Sequence, residues 1–167
     1  LDQDPSLAIG YKKMGGWLDN LDTGASDLGF GKFLSTLDTI LTGRLSYEET
    51  VKLGNGIWPF KDMDTYVFTR NAFENTDKCT FTSANPKDVL TSIRLKEGKD
   101  IWLFGGGGFI KSMREENLID EYIITRIPIM LGKGISLFQD VESECKLDLL
   151  SVEKVKNIIQ THYKVVK

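Results

Sequence analysis

Residues 101–113, IWLFGGGGFIKSM, limit the fold more than any other stretch of this chain. Four apolar residues run straight into four glycines and then into an amphipathic segment. That pattern reads as a buried strand, a tight turn and a helix from Phe109 to about Glu116. Glycines permit positive φ and let backbone N–H groups approach an anion closely. The helix that follows adds its unpaired N–H groups and the positive end of its dipole. A phosphate or pyrophosphate fits such a corner; the alternative is that Gly105, Gly106, Gly107 and Gly108 only make a turn. Named loops do not match. A Walker loop needs Gly directly before Lys-Ser, and Ile110 precedes Lys111 and Ser112. A Rossmann fingerprint starting at Gly105 needs Gly at position 110, which is again Ile.

Two further segments repeat the theme of a strand delivering polar groups to its carboxyl end. Residues 38–42 (DTILT) read as a short buried strand followed by Gly43 and Arg44. Ser46 with Glu49 three residues on has the capping-box pattern, which predicts a helix capped by Ser46. Arg44 would then stand beside backbone donors, a pairing suited to phosphate. Residues 64–69 (DTYVFT) read as a strand ending at Arg70 and Asn71. In parallel sheets ligands bind outside the carboxyl ends of strands. Three strands ending in Gly-Arg-x-Ser, Thr-Arg-Asn and Gly-Gly-Gly-Gly therefore point to one anion site. Either arginine alone would read as a solvated surface charge.

The remaining elements follow from periodicity and punctuation. A helix capped by Ser26 or Asp27 places Leu28, Phe30, Phe33, Leu34 and Leu37 on one face. Residues 79–82 can form a short strand. A helix opens near Pro86, runs to about Lys96 and is ended by Gly98. Residues 121–129, 145–155 and 157–166 read as long strands, the last two joined by a tight turn. The order is α/β crossovers first and a β-rich tail last. It predicts a mainly parallel sheet with antiparallel strands added at one edge. Residues 131–136 (LGKGIS) look superficially like a kinase loop, but following a strand they are expected to form a turn.

Composition narrows the function classes. The 167 residues fit one domain, 1–167, able to bury roughly 70% of the surface of its unfolded chain. With 21 Lys+Arg against 24 Asp+Glu, the chain lacks the basic footprint of a nucleic-acid binder. Its apolar runs are far shorter than the about 18 residues of a membrane span. Cys79 and Cys145 lack disulfide-framework or metal-ligand spacing, and no signal sequence is evident; a cytoplasmic setting is expected. The single histidine, His162, sits in an alternating run and is expected on a strand, so neither a metal site nor a His-based triad is expected.

Taken together, DTILTGRLSYE (38–48), YVFTRN (66–71), IWLFGGGGFIKSM (101–113) and DEYIITRIPIMLGKGISLF (120–138) resemble the dihydrofolate reductase superfamily. The likeness is closest to the reductase domain of bacterial riboflavin biosynthesis and its stand-alone relatives. It runs from about Gly16 to the C-terminus in the family's order and spacing, and the last segment is particular to the riboflavin-type branch.

The resemblance implies a three-layer α/β/α sandwich around an eight-stranded, mixed and mainly parallel sheet that binds NADPH. By the family's motifs, Gly43, Arg44 and Ser46 contact the cofactor's phosphates. Thr69 and Arg70 match the residues at the adenosine 2′-phosphate. Gly105, Gly106, Gly107, Gly108, Phe109 and Ile110 match the pyrophosphate loop. Asp27 falls where dihydrofolate reductases place their pterin-binding carboxylate; the alternative is a plain helix cap. Trp17 and Phe30 can wall a substrate pocket or simply fill the core. The N-terminus departs from the pattern, because residues 1–11 offer Ser6-Leu-Ala-Ile-Gly10 where the family has a Ser-Leu-Asp-Gly-like turn. Either part of the first strand lies outside this sequence or its register differs.

The expected activity is NADPH-dependent reduction of a small heterocyclic or carbonyl substrate, riboflavin-pathway pyrimidine reductase-like or dihydrofolate reductase-like. A non-catalytic NADPH-binding module is the alternative, and a phosphotransfer enzyme a weaker one. Pairing of relatives through their C-terminal strands implies a homodimer.

Overall fold

The computed structural model describes residues 29–71, 73–128, 130, 136–138 and 144–167. The described residues divide into two compact units, one of residues 30–110 and one of Gly29 with those from 111 onward. In the first unit a short helix α1 (Phe30–Ser35) leads into β1 (Leu37–Gly43) and α2 (Arg44–Leu53). Then come β2 (Asp64–Phe68), β3 (Cys79–Thr82), α3 (Pro86–Arg94), β4 (Asp100–Gly105) and the start of α4 (Gly107–Glu115).

The four strands pair in parallel in the order β3-β2-β1-β4. Flanked on both sides, β1 is buried at Leu37 and from Thr39 through Thr42, two threonines included. In register, Trp102, Ile40, Thr65 and Cys79 form one row across the sheet, so their side chains share a face. That face carries the aromatic core. Tyr47 of α2 and Phe60 close over Trp58, with ring centroids 4.9 and 5.3 Å away, and Phe33 of α1 meets Trp102 edge-on at 5.3 Å. Trp58 is buried yet satisfied, because its Nε1–H donates to the Thr65 hydroxyl at 3.0 Å. On the opposite face of β2, Phe68 stacks on Phe109 at 4.9 Å.

Helix α3 starts as its sequence dictates: the Asn85 side chain accepts the Lys87 N–H at 2.8 Å and Pro86 occupies the first turn. It ends at Arg94, before Gly98. Two other boundaries differ from the sequence reading. Leu37 opens β1 instead of closing the helix before it. Helix α4 begins at Gly107, so two of the four glycines are helical.

The second unit holds β5 (Glu121–Arg126), β6 (Leu147–Val155) and β7 (Ile158–Val165), antiparallel in the order β5-β7-β6. Lys156, at φ 52°, and Asn157 form the tight turn between β6 and β7. His162 lies on β7, as expected, and its Nε2 is 2.7 Å from the Glu121 carboxylate. The α/β class and the mainly parallel sheet stand. The single eight-stranded sheet does not emerge among the described residues, which carry seven strands in two sheets, because β5, β6 and β7 pair only with one another. No helix among them is long and apolar enough to cross a membrane.

Candidate functional site

The strand order creates the site. The chain steps outward from β1 to β2 to β3, then returns to place β4 on the other side of β1. The carboxyl ends of β1 and β4 therefore flank a topological switch point, the position where open parallel sheets bind ligands. Register puts the strand ends level, with Gly43 opposite Phe68, Phe68 opposite Thr82, and Thr42 opposite Gly105. Between Leu41 and Thr42 the pairing skips Phe104, a bulge that re-aims the end of β4 just before the glycines. All three segments singled out in the sequence thus reach one edge of one sheet.

Close backbone approach explains the glycines. Gly105 has φ 110°, a conformation that L side chains rarely adopt. A Cβ on Gly43 would lie 3.4 Å from Phe109 Cβ, and a Cβ on Gly106 would lie 3.0 Å from the Ser46 hydroxyl. A Cβ on Gly108 would meet nothing within 4 Å, so the helix opens onto free space there. The Phe109 and Ile110 amides both donate to Gly106 O at 2.9 Å. Gly107 and Gly108 lead α4, at its positive end.

Ser46 does not cap α2. The helix starts two residues earlier, at Arg44, with Gly43 in the cap position and no side-chain cap. Glu49 lies near Lys52 Nζ at 3.7 Å instead of closing a capping box. The capping-box pattern is overridden by a tertiary partner: Ser46 Oγ accepts the Gly106 N–H at 2.9 Å. A hydroxyl that accepts this bond still carries a proton to donate.

Arg44 and Arg70 supply the positive charge. Arg44 Nη1 donates to both oxygens of Glu48, at 2.8 and 2.7 Å. Thr69 is buried; its N–H donates to Thr82 O at 2.9 Å, and its hydroxyl accepts the Asn71 N–H at 3.1 Å. This turn leaves Arg70 exposed beyond the end of β2. Beside Ser46, burial pushes the Tyr47 phenol up to about 12, with a further contribution from Cys79, so Tyr47 stays neutral at physiological pH.

Sequence reasoning passed over two residues at this edge. Thr42 is fully buried, and its hydroxyl lies 3.2 Å from Gly43 O and 3.4 Å from Gly105 O, tying the two strand ends together. A threonine in a buried strand directly before Gly was the available signal. Glu48 was visible as the i+4 partner of Arg44. Of the substrate-side candidates, Phe30 is half-buried and meets Trp102 edge-on at 5.9 Å. Trp17 and Asp27 lie outside the described residues, as do 131–135 and the departing N-terminal segment. Among the described residues no group of three or more His, Cys, Asp or Glu is placed to hold a metal ion.

Comparison with known proteins agrees with this architecture. The model of the RibD C-terminal domain matches residues 30–161. The uncharacterized protein YwjB of Bacillus subtilis (strain 168) is 35% identical over 148 residues, covering 88% of this chain and 84% of YwjB. A crystal structure of a putative riboflavin biosynthesis protein from Shewanella sp. PV-4 is 26% identical, with a TM-score of 0.79 over 91% of this chain and 88% of that one. Acinetobacter baumannii RibD shares the fold at 13% identity, with a TM-score of 0.61 over 87% of this chain and 53% of RibD.

Proposed function

The chain belongs to the RibD C-terminal domain family, and on that premise we propose that it is an NADPH-dependent reductase of a small heterocyclic or carbonyl substrate, most similar in role to a pyrimidine reductase. The observation that carries this reading is the meeting of Gly43-Arg44, Thr69-Arg70 and the glycine run at the switch point of the parallel sheet. The residues fit the dinucleotide. Open space in front of Gly108 leaves room for a phosphate at the positive end of α4. The Ser46 hydroxyl is bonded to the adjoining Gly106 N–H, and Arg44 is the first residue of the helix that carries Ser46.

When bound, the nicotinamide supplies the hydride. The chain's part is to bind, orient and exclude water. Gly105, Gly106, Gly107 and Gly108 let the backbone come within hydrogen-bonding reach of a diphosphate, with Phe109 and Ile110 fixing the helix behind them. Gly43, Arg44 and Ser46, at the corner after β1, would bind its phosphates as well. Thr69 shapes the turn that presents Arg70 to a 2′-phosphate, which favours NADPH over NADH. On the substrate side, Asp27 or a water supplies the proton, and Trp17 and Phe30 wall the ring. The reductase forms a homodimer through its C-terminal sheet, where the edge strand β6 exposes Leu149, Leu150 and Val152.

The test is a fluorescence titration with NADPH and NADH, followed by cofactor oxidation with pyrimidine, pterin and ketone substrates. Tight NADPH-preferring binding with turnover is the expected result. Binding without oxidation of any substrate would instead indicate a non-catalytic module.

A further inference from the structure

We infer that Glu48 is a built-in counter-ion that holds Arg44 at the mouth of the site and competes with the incoming phosphate for it, limiting how tightly the cofactor is held. The inference rests on the nucleotide reading of this site. Three observations carry it. Arg44 is the first residue of α2, where a cation opposes the helix dipole, and the first turn holds no acidic residue. An Arg followed by Glu at i+4 is the weaker of the two orders for a helix pair. Helix stability therefore does not explain why this pair stands at the switch point. Finally, both Glu48 oxygens converge on Nη1, at 2.8 and 2.7 Å, and neither bond engages Nε or Nη2.

With the two side chains 34% and 39% exposed, the pair is exchangeable. A phosphate that reaches Arg44 gains a charge-assisted bond and meets the Glu48 carboxylate across the same guanidinium. Like-charge repulsion then weakens binding and speeds release.

The experiment is NADPH and NADH titration of Glu48→Gln, with dissociation followed by stopped flow and the thermal midpoint read in parallel. Gln keeps an acceptor for Arg44 and removes the charge. Affinity should rise about three- to fivefold, the ceiling for an exposed charge pair, mainly through slower dissociation. A gain with NADPH alone places the competing phosphate on the ribose, and a gain with both cofactors places it in the diphosphate; either supports the inference. Glu49→Gln, which removes a carboxylate one residue further on, should change neither affinity nor dissociation.

Unchanged or weaker binding in Glu48→Gln, or an equal gain in Glu49→Gln, overturns the inference while the nucleotide reading stands. If the wild-type protein binds neither cofactor, the nucleotide reading fails and the inference falls with it.

Discussion

Ser46 Oγ accepts the Gly106 N–H at 2.9 Å across 60 residues of sequence, tying the corner after β1 to the corner after β4. Ser46→Ala removes the acceptor and leaves that amide without its partner. Stability should fall by about 1 kcal/mol, the usual worth of one such bond. NADPH affinity should fall about tenfold, since both walls of the site loosen and a phosphate donor is lost. Urea unfolding and cofactor titration of the same variant check both numbers.

The glycines at this corner serve different ends, so alanine separates them. Gly105→Ala forces a side chain to φ 110° and should cost about 1–3 kcal/mol of stability, read as a lowered unfolding midpoint. Gly108→Ala adds a methyl to open space and should leave the midpoint nearly unchanged. It should nonetheless weaken NADPH, because the methyl occupies the room proposed for phosphate. If Gly108→Ala binds NADPH like wild type, no phosphate sits over the helix.

At the far end of β1, Asp38 makes a purely structural clamp. Its carboxylate accepts the Lys99 N–H at 2.6 Å and the Thr39 hydroxyl at 2.7 Å. The Lys99 amide first, and the Thr39 hydroxyl second, hold its pKa below the ordinary 3.8. A lowered pKa in the folded state means that the unfolded chain takes up protons first as pH falls. The stabilisation is therefore complete above about pH 4 and is lost as pH drops through the lower folded value. Asp38→Asn should reduce stability at pH 7 by about 1 kcal/mol, flatten the acid limb of the stability curve and leave NADPH binding unchanged. Denaturant unfolding between pH 2 and pH 7 measures it, with an unaltered acid limb as the contrary result.

The parts of the site that were legible in the sequence are local. Strands ending in Gly-Arg or Thr-Arg, and a strand entering four glycines, carry their meaning within a few residues. Parallel pairing then brings those ends together with little further information. The Ser46–Gly106 bond was not legible, because Ser-x-x-Glu marks a cap equally well and nothing local announces a partner 60 residues away. The start of α4 at Gly107 was missed for a related reason. Glycine is a poor helix former, yet a first turn anchored by the Gly106 carbonyl tolerates it. Thr42 hid in a run read simply as a buried strand, since the Gly105 carbonyl that its hydroxyl reaches lies 63 residues away.

The C-terminal sheet offers its own test. Leu149 and Val152 on β6 are each 55% exposed, a large apolar display for an edge strand. Light scattering across a range of concentrations should report a dimer. The double change Leu150→Lys with Val152→Lys should shift it to monomer without unfolding it. A monomer at every wild-type concentration would contradict the assignment of this edge to a second copy.

The most direct measurement is intrinsic Trp fluorescence titration of wild type and Arg70→Ala with NADPH and NADH side by side. Wild type should prefer NADPH by more than about tenfold, as a charge-assisted bond to one additional phosphate implies. Arg70→Ala should weaken NADPH far more than NADH. Equal losses for the two cofactors, or no binding of either by the wild-type chain, would contradict the assignment of this sheet edge to a 2′-phosphorylated dinucleotide.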